Sequence, residues 1–194
     1  LLAGVMLASA FSVNAAMENG KSYLLKSGSS YLSAETDKTS ADYGKLVYGS
    51  LNTSDLNEVV AGTWKVSTKT TSGAVVYTFV NKVTGMTLAV DPTLAKTATN
   101  GLSGDVTLGS GTVSEWAFDA SNHMYSYFKS DSIVFFDNTG ALNKGKIADL
   151  SAALAVTEDV ISTPIPISAD DLNTLMWSVD SKDNYFALNM DPEV

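Results

Sequence analysis

Two runs of alternating side chains flank a turn near the middle of this chain, and they constrain its fold more than any other feature. Residues 76–80 and 86–90 set Tyr77 and Phe79, then Met86, Leu88 and Val90, on one face each, between smaller or polar neighbours. That alternation is the period of a half-buried β-strand. Asn81-Lys82-Val83-Thr84-Gly85 supplies turn chemistry between the runs, with Gly85 expected at positive φ. The unit is strand, turn, strand. A Trp-x-apolar strand stands ahead of it at Trp64-Lys65-Val66 and another behind it at Trp116-Ala117-Phe118, 52 residues on, and a Tyr-rich strand follows each. A period of that length points to an internal repeat.

Followed along the chain, the repeat resolves into units of four short strands. The first holds residues 23–26, 31–34, 45–48 and 63–67, with Ser27-Gly28-Ser29-Ser30 turning its first pair. The second holds 76–80, 86–90, 105–108 and 115–119. The third holds 124–129 and 132–136, then weaker strand candidates at 146–149 and 153–157, where alanine and leucine also suit a helix. Three units of four strands make an all-β domain over residues 20–163, and the expected architecture is a β-trefoil: six strands closing a short barrel and six forming its hairpin cap. A β-sandwich is the alternative, since it uses similar strands at similar spacing. In the trefoil reading Trp64, Trp116, Phe79 and Leu88 are core, and Gly85 is a turn residue.

The two ends of the chain read differently. Residues 1–16 are uncharged, too short to span a bilayer comfortably, and end on small residues suited to signal peptidase. They are expected to be a truncated secretory signal whose basic region and initiator Met precede Leu1, leaving a secreted or cell-surface protein with no membrane span in the mature chain. After Pro164 and Pro166, Ser168-Ala169-Asp170-Asp171 has the form of a capping box, and Leu172, Leu175, Met176 and Val179 recur at helical spacing. Trp177 therefore belongs to a short helix, followed by a single strand from Tyr185 to Met190. Residues 164–194 are expected to be a linker, that helix and the start of a second module continuing past Val194.

Composition removes several classes of function. The net charge is −9, all 12 cationic residues are lysine, and arginine is absent. No bidentate phosphate fork can be built, and such a surface repels nucleic acid. Without cysteine there are no disulfides, thiol nucleophiles or cysteine-held zinc and iron–sulfur sites. His123, the one histidine, reads as a turn residue rather than a catalytic base. Asp170/Asp171 read as helix capping, Glu158/Asp159 as a loop, and Asp180-Ser181-Lys182-Asp183-Asn184 lacks calcium-loop spacing. No metal, cofactor or catalytic residue is expected.

Asn81-Lys82-Val83-Thr84-Gly85-Met86-Thr87-Leu88, and more loosely Gly28-Ser29-Ser30-Tyr31-Leu32, resemble the repeat of ricin-type β-trefoil modules. The signal segment, the run from Met124 to Ser132 and the C-terminal helix and strand are further similar to a set of secreted Bacteroidales multi-domain proteins that carry such modules ahead of a C-terminal domain of unknown function. The ricin-type resemblance implies a lectin-like fold whose sugar sites use an Asp directly after the Leu of the second strand. Here that position is Ala89, or Ser33 in the first unit, and Gly62-Thr63-Trp64 and Ser114-Glu115-Trp116 stand in place of Gln-x-Trp. The resemblance thus implies an exported, non-catalytic binding or adhesive module with a glycan as partner, or alternatively a structural spacer with no ligand. The eight tyrosines exceed what a core needs, and Tyr31, Asn81, Tyr125 and Asp131 are the candidate ligand contacts. A solvent-exposed Tyr beside an Asp or Asn in one lobe would favour binding over spacing. Asp131-Ser132-Ile133 resembles a short O-glycosylation acceptor used in Bacteroidales, which makes Ser132 a candidate modification site as well as a strand start.

Overall fold

A computed structural model describes residues 17–71, 73–97, 113–129 and 131–159. The expected signal segment, the strand at 105–108 and the linker, helix and strand of 164–194 lie outside the described residues. Within them the chain is all-β, built from strands that pair antiparallel except for β6 beside β10, with very little helix. The first hairpin is β1 (Ser22–Ser27) and β2 (Ser30–Ala34), with β3 (Leu46–Gly49) paired along the far edge of β2. A long hairpin of β4 (Thr63–Thr71) and β5 (Ala74–Asn81) follows, in register from Trp64 opposite Asn81 to Thr71 opposite Ala74. Past the short β6 (Lys96–Thr97) and β7 (Ala117–Phe118), β8 (Met124–Lys129), β9 (Ser132–Phe136) and β10 (Leu142–Gly145) meander antiparallel, and β11 (Thr157–Asp159) returns to β1.

These pairings close on themselves. β1 pairs with β4, β4 with β5, and Tyr77 of β5 exchanges backbone hydrogen bonds with Trp116 at 2.8 Å in both directions. β7 pairs with β8, the Met124 amide donates to the Leu154 carbonyl, and β11 pairs with β1. A closed ring leaves few edges open to further pairing. Inside it one apolar cluster joins Trp64, Trp116, Phe79, Leu25, Leu32, Leu88, Val134 and Leu154. Trp64, Trp116, Phe79 and Leu88 have no exposed surface at all.

The register repeats three times. Leu25 stands opposite Leu32, the Leu88 amide donates to the Phe79 carbonyl, and Ser126 stands opposite Val134, all six residues being buried. The indole of Trp64 donates to the Leu32 carbonyl at 2.7 Å, and that of Trp116 to the Leu88 carbonyl at 3.0 Å. In the third stretch no Trp is present, and the Leu154 amide donates to the Phe136 carbonyl instead. Each of these three stretches is then followed by an Asp-x-Thr turn. Oδ1 of Asp37, Asp91 and Asp137 accepts both the amide and the hydroxyl of Thr39, Thr93 and Thr139 respectively, at 2.6–2.9 Å.

Three local readings need correction. Residues 86–90 form no continuous strand, because they pair singly with two different segments: Thr87 bridges to Val80 and Val90 to Val113. Residues 146–149 are not a strand: Ile147–Ala152 is a 3₁₀ helix, because Asp149 reaches back to accept the Lys146 amide at 2.7 Å and Leu150 is drawn into a buried cluster with Phe135 and Ile133. The segment 153–157 is bridged at Ala153 and Ala155, and its continuous strand begins only at Thr157. Between β3 and β4 stands a helix, α1 (Leu56–Ala61), capped by Asp55, whose carboxylate accepts the amides of Asn57 and Glu58.

Gly85 has φ of +68°, and a Cβ built there meets no atom within 4 Å. The cost of Gly85→Val is therefore backbone strain without a clash, about 1–2 kcal/mol for forcing a branched residue into the left-handed region. A urea melt of Gly85→Val superimposable on that of the parent would show that the turn reaches another conformation freely.

Candidate functional site

The four ligand contacts expected from sequence are not brought together. Tyr31 is 6% exposed, its hydroxyl donates to Asp159 Oδ2 at 2.9 Å and Lys26 Nζ stands 5.5 Å from its ring centre, so it ties β11 to the first hairpin. Asn81 has no exposed surface. Its Nδ2 donates to the Ala61 carbonyl at 2.8 Å, and its Oδ1 accepts the amides of Val83 and Thr84. Asp131 is exposed at the β8–β9 turn, where it faces Lys146 at 3.7 Å and accepts from the neighbouring Ser132 hydroxyl. Tyr125 is buried, and desolvation pushes its phenol well above the ordinary value, so the hydroxyl stays protonated.

The residue that does face outward is Tyr127, two positions beyond Tyr125 on the same strand and 51% exposed. Its ring meets Tyr125 edge to face at 5.4 Å, which braces it from beneath. A register shift explains what lies beside it. Tyr127 is opposite Ile133 and Lys129 opposite Ser132, so Phe128 is an extra residue in β8. In a regular strand Tyr127 and Phe128 would point to opposite faces. A bulge re-aims one of them, and both line one open groove of about 890 Å³.

Around that groove stand Asp91, Thr93, Glu115 and Lys144, contributed by three separate stretches of chain. Asp91 is held by the Thr93 amide and hydroxyl, both on Oδ1, and these bonds, with Lys144 nearby, keep its carboxyl below the usual carboxylate range. It is ionised at any physiological pH. Lys144 Nζ stands 5.4 Å over the Phe128 ring, and Glu115 is paired with Lys69 of β4. An exposed aromatic face, a fixed acceptor and a cationic donor in a concavity of this size suit a hydroxyl-rich ring. Tyr127, Asp91 and Lys144 are not singled out by any local sequence pattern tied to binding; the signal for Asp91 is the Asp-x-Thr it shares with Asp37 and Asp137.

His123 closes the turn before β8. Its Nδ1 lies 2.8 Å from Asp119 Oδ2, while Asp119 Oδ1 accepts the amides of Ser121 and His123. Asn122 between them takes φ of +67°. Among the described residues no three His, Asp or Glu side chains gather as a metal site, and no helix is long and apolar enough to cross a membrane. Compared with protein-family models, with curated proteins and with solved structures, the chain matches none.

Proposed function

We propose that residues 20–163 form a β-trefoil of the ricin type and act as an exported, non-catalytic module that binds a glycan. The strands form a six-stranded and a five-stranded sheet, and the Tyr77–Trp116 and His123–Ala155 bridges that join them, with the threefold register, support the trefoil over a sandwich, whose two sheets stay separate. Export rests on the uncharged run of residues 1–16. The observation that carries the binding reading is Tyr127, half in solvent at the mouth of a groove that also holds Asp91 and Lys144. Burying a tyrosine in the core costs nothing unusual; leaving one standing over a concavity beside a carboxylate forgoes that burial and gives a sugar ring a face to stack on.

A glycan array probed with the whole chain tests this. The expected result is selective retention on a subset of plant, host or microbial glycans. Absence of binding across the array would leave the structural-spacer reading in its place.

A further inference from the structure

The threefold register allows the groove to be compared with its two counterparts, and the three are not equivalent. We infer, building on the glycan-binding reading, that this module holds one sugar site per chain, at the seam between its second and third units, and that this site takes an uncharged ring stacked on Tyr127.

Register fixes the correspondences. Lys26 opposite Tyr31 and Val80 opposite Thr87 occupy the places that Tyr127 opposite Ile133 occupies in the third unit. The stacking position is thus a lysine, a valine and a tyrosine, and only the tyrosine offers a ring. Likewise Tyr48 opposite Leu32 corresponds to Lys144 opposite Val134. Where Lys144 leaves room beside the Asp91 turn, Tyr48 fills the space beside the Asp137 turn: a Cβ on Gly140 would come within 2.7 Å of Tyr48 Cβ. At the first seam, a Cβ on Gly44 would come within 2.5 Å of Met86 Sδ, so the loop from the Asp37 turn is packed directly onto that side chain. Among the described residues, two seams are closed by a bulky side chain under a glycine. The third is lined by Asp91, Thr93, Tyr127, Phe128 and Lys144 and stays open.

The charges in the open seam set the kind of ring it takes. Glu115 pairs with Lys69, and Oδ1 of Asp91 is taken up by the Thr93 amide and hydroxyl, with Lys144 nearby. The Phe128 face is covered by Lys144, which leaves no vacant aromatic face there for a cationic sugar. A polyanionic chain is opposed by the protein's own charge of −9. An uncharged ring stacks on Tyr127 with its hydroxyls donating to Asp91 and accepting from Lys144.

Isothermal titration of the whole chain with neutral gluco-, manno- and xylo-hexaoses, oligogalacturonate and chitosan hexamer decides the matter. At least one neutral hexaose is expected to bind with a stoichiometry of one. Tyr127→Ala is expected to weaken that binding about tenfold or more, with a melt lowered only slightly, by loss of the edge-to-face contact with Tyr125. Lys144→Ala, which spares the stacking face, is expected to weaken it less. Stoichiometry of two or three, undiminished affinity in Tyr127→Ala, or binding of the charged oligomers alone would overturn the single-seam inference while leaving glycan binding intact. No binding to any of the five would overturn both.

Discussion

Truncating either tryptophan, Trp64→Ala or Trp116→Ala, is expected to lower the unfolding free energy by about 3–5 kcal/mol. Both side chains are fully buried in the same cluster, and Trp116 stacks on Phe136 at 5.2 Å between ring centres. Each loss combines the transfer of a large side chain with the cavity it leaves. It also removes the indole donor from a buried carbonyl, Leu32 in one case and Leu88 in the other. A carbonyl left without a donor in the interior costs about 1–3 kcal/mol by itself. Trp→Phe variants divide the two contributions, since phenylalanine keeps most of the packing and none of the hydrogen bond. Against a total stability of about 5–15 kcal/mol for a domain, either alanine variant should melt well below the parent. Urea denaturation measures it, and a loss under about 1 kcal/mol at either site would mean the repeat places that Trp by coincidence and the ring does not depend on it.

The tryptophans are legible in the sequence because a large side chain at matched positions of a repeat has one economical use, the shared centre. The third unit is harder for the same reason. Its closing strand has Leu154 where a Trp would mark the place, and its 3₁₀ helix is specified by one side chain, Asp149, bonding back three residues to Lys146. Alternation tells that Tyr125 and Tyr127 share a face but not which of them reaches solvent. That depends on how far β8 runs past the rim of the cluster and on the extra residue at Phe128. The groove itself is a product of register. Asp91, Tyr127 and Lys144 are distant in sequence, and none carries a local pattern that links it to the others. The choice of Tyr31 and Asn81 as ligand contacts shows the limit from the other side. Polar atoms on turn and strand residues look available to a ligand in the sequence, whereas the Tyr31 hydroxyl is bonded to Asp159 and both ends of the Asn81 amide are bonded within the fold.

Asn81 therefore belongs with the core, and its removal is the second large effect expected. The side chain is wholly buried and joins two elements: Nδ2 holds the Ala61 carbonyl at the end of α1, and Oδ1 gathers the Val83 and Thr84 amides into the turn that ends at Gly85. The Asn81 backbone adds two more bonds, accepting from the Gly85 amide and donating to the Met86 carbonyl, but these survive substitution. Asn81→Ala leaves the Ala61 carbonyl without its donor and empties a buried volume, while the turn amides near the exposed Val83 can recover a bond to water. The net expected loss is about 2–4 kcal/mol. Asn81→Asp retains the acceptor for the turn amides and, when ionised, replaces the donor with a buried charged oxygen set against the Ala61 carbonyl. Retention of parent stability by Asn81→Asp would show that the bond to α1 contributes nothing. Retention by Asn81→Ala would show more: that the turn holds its shape through Gly85 and its backbone bonds alone, and that the buried amide is not what joins the end of the first unit to the hairpin of the second.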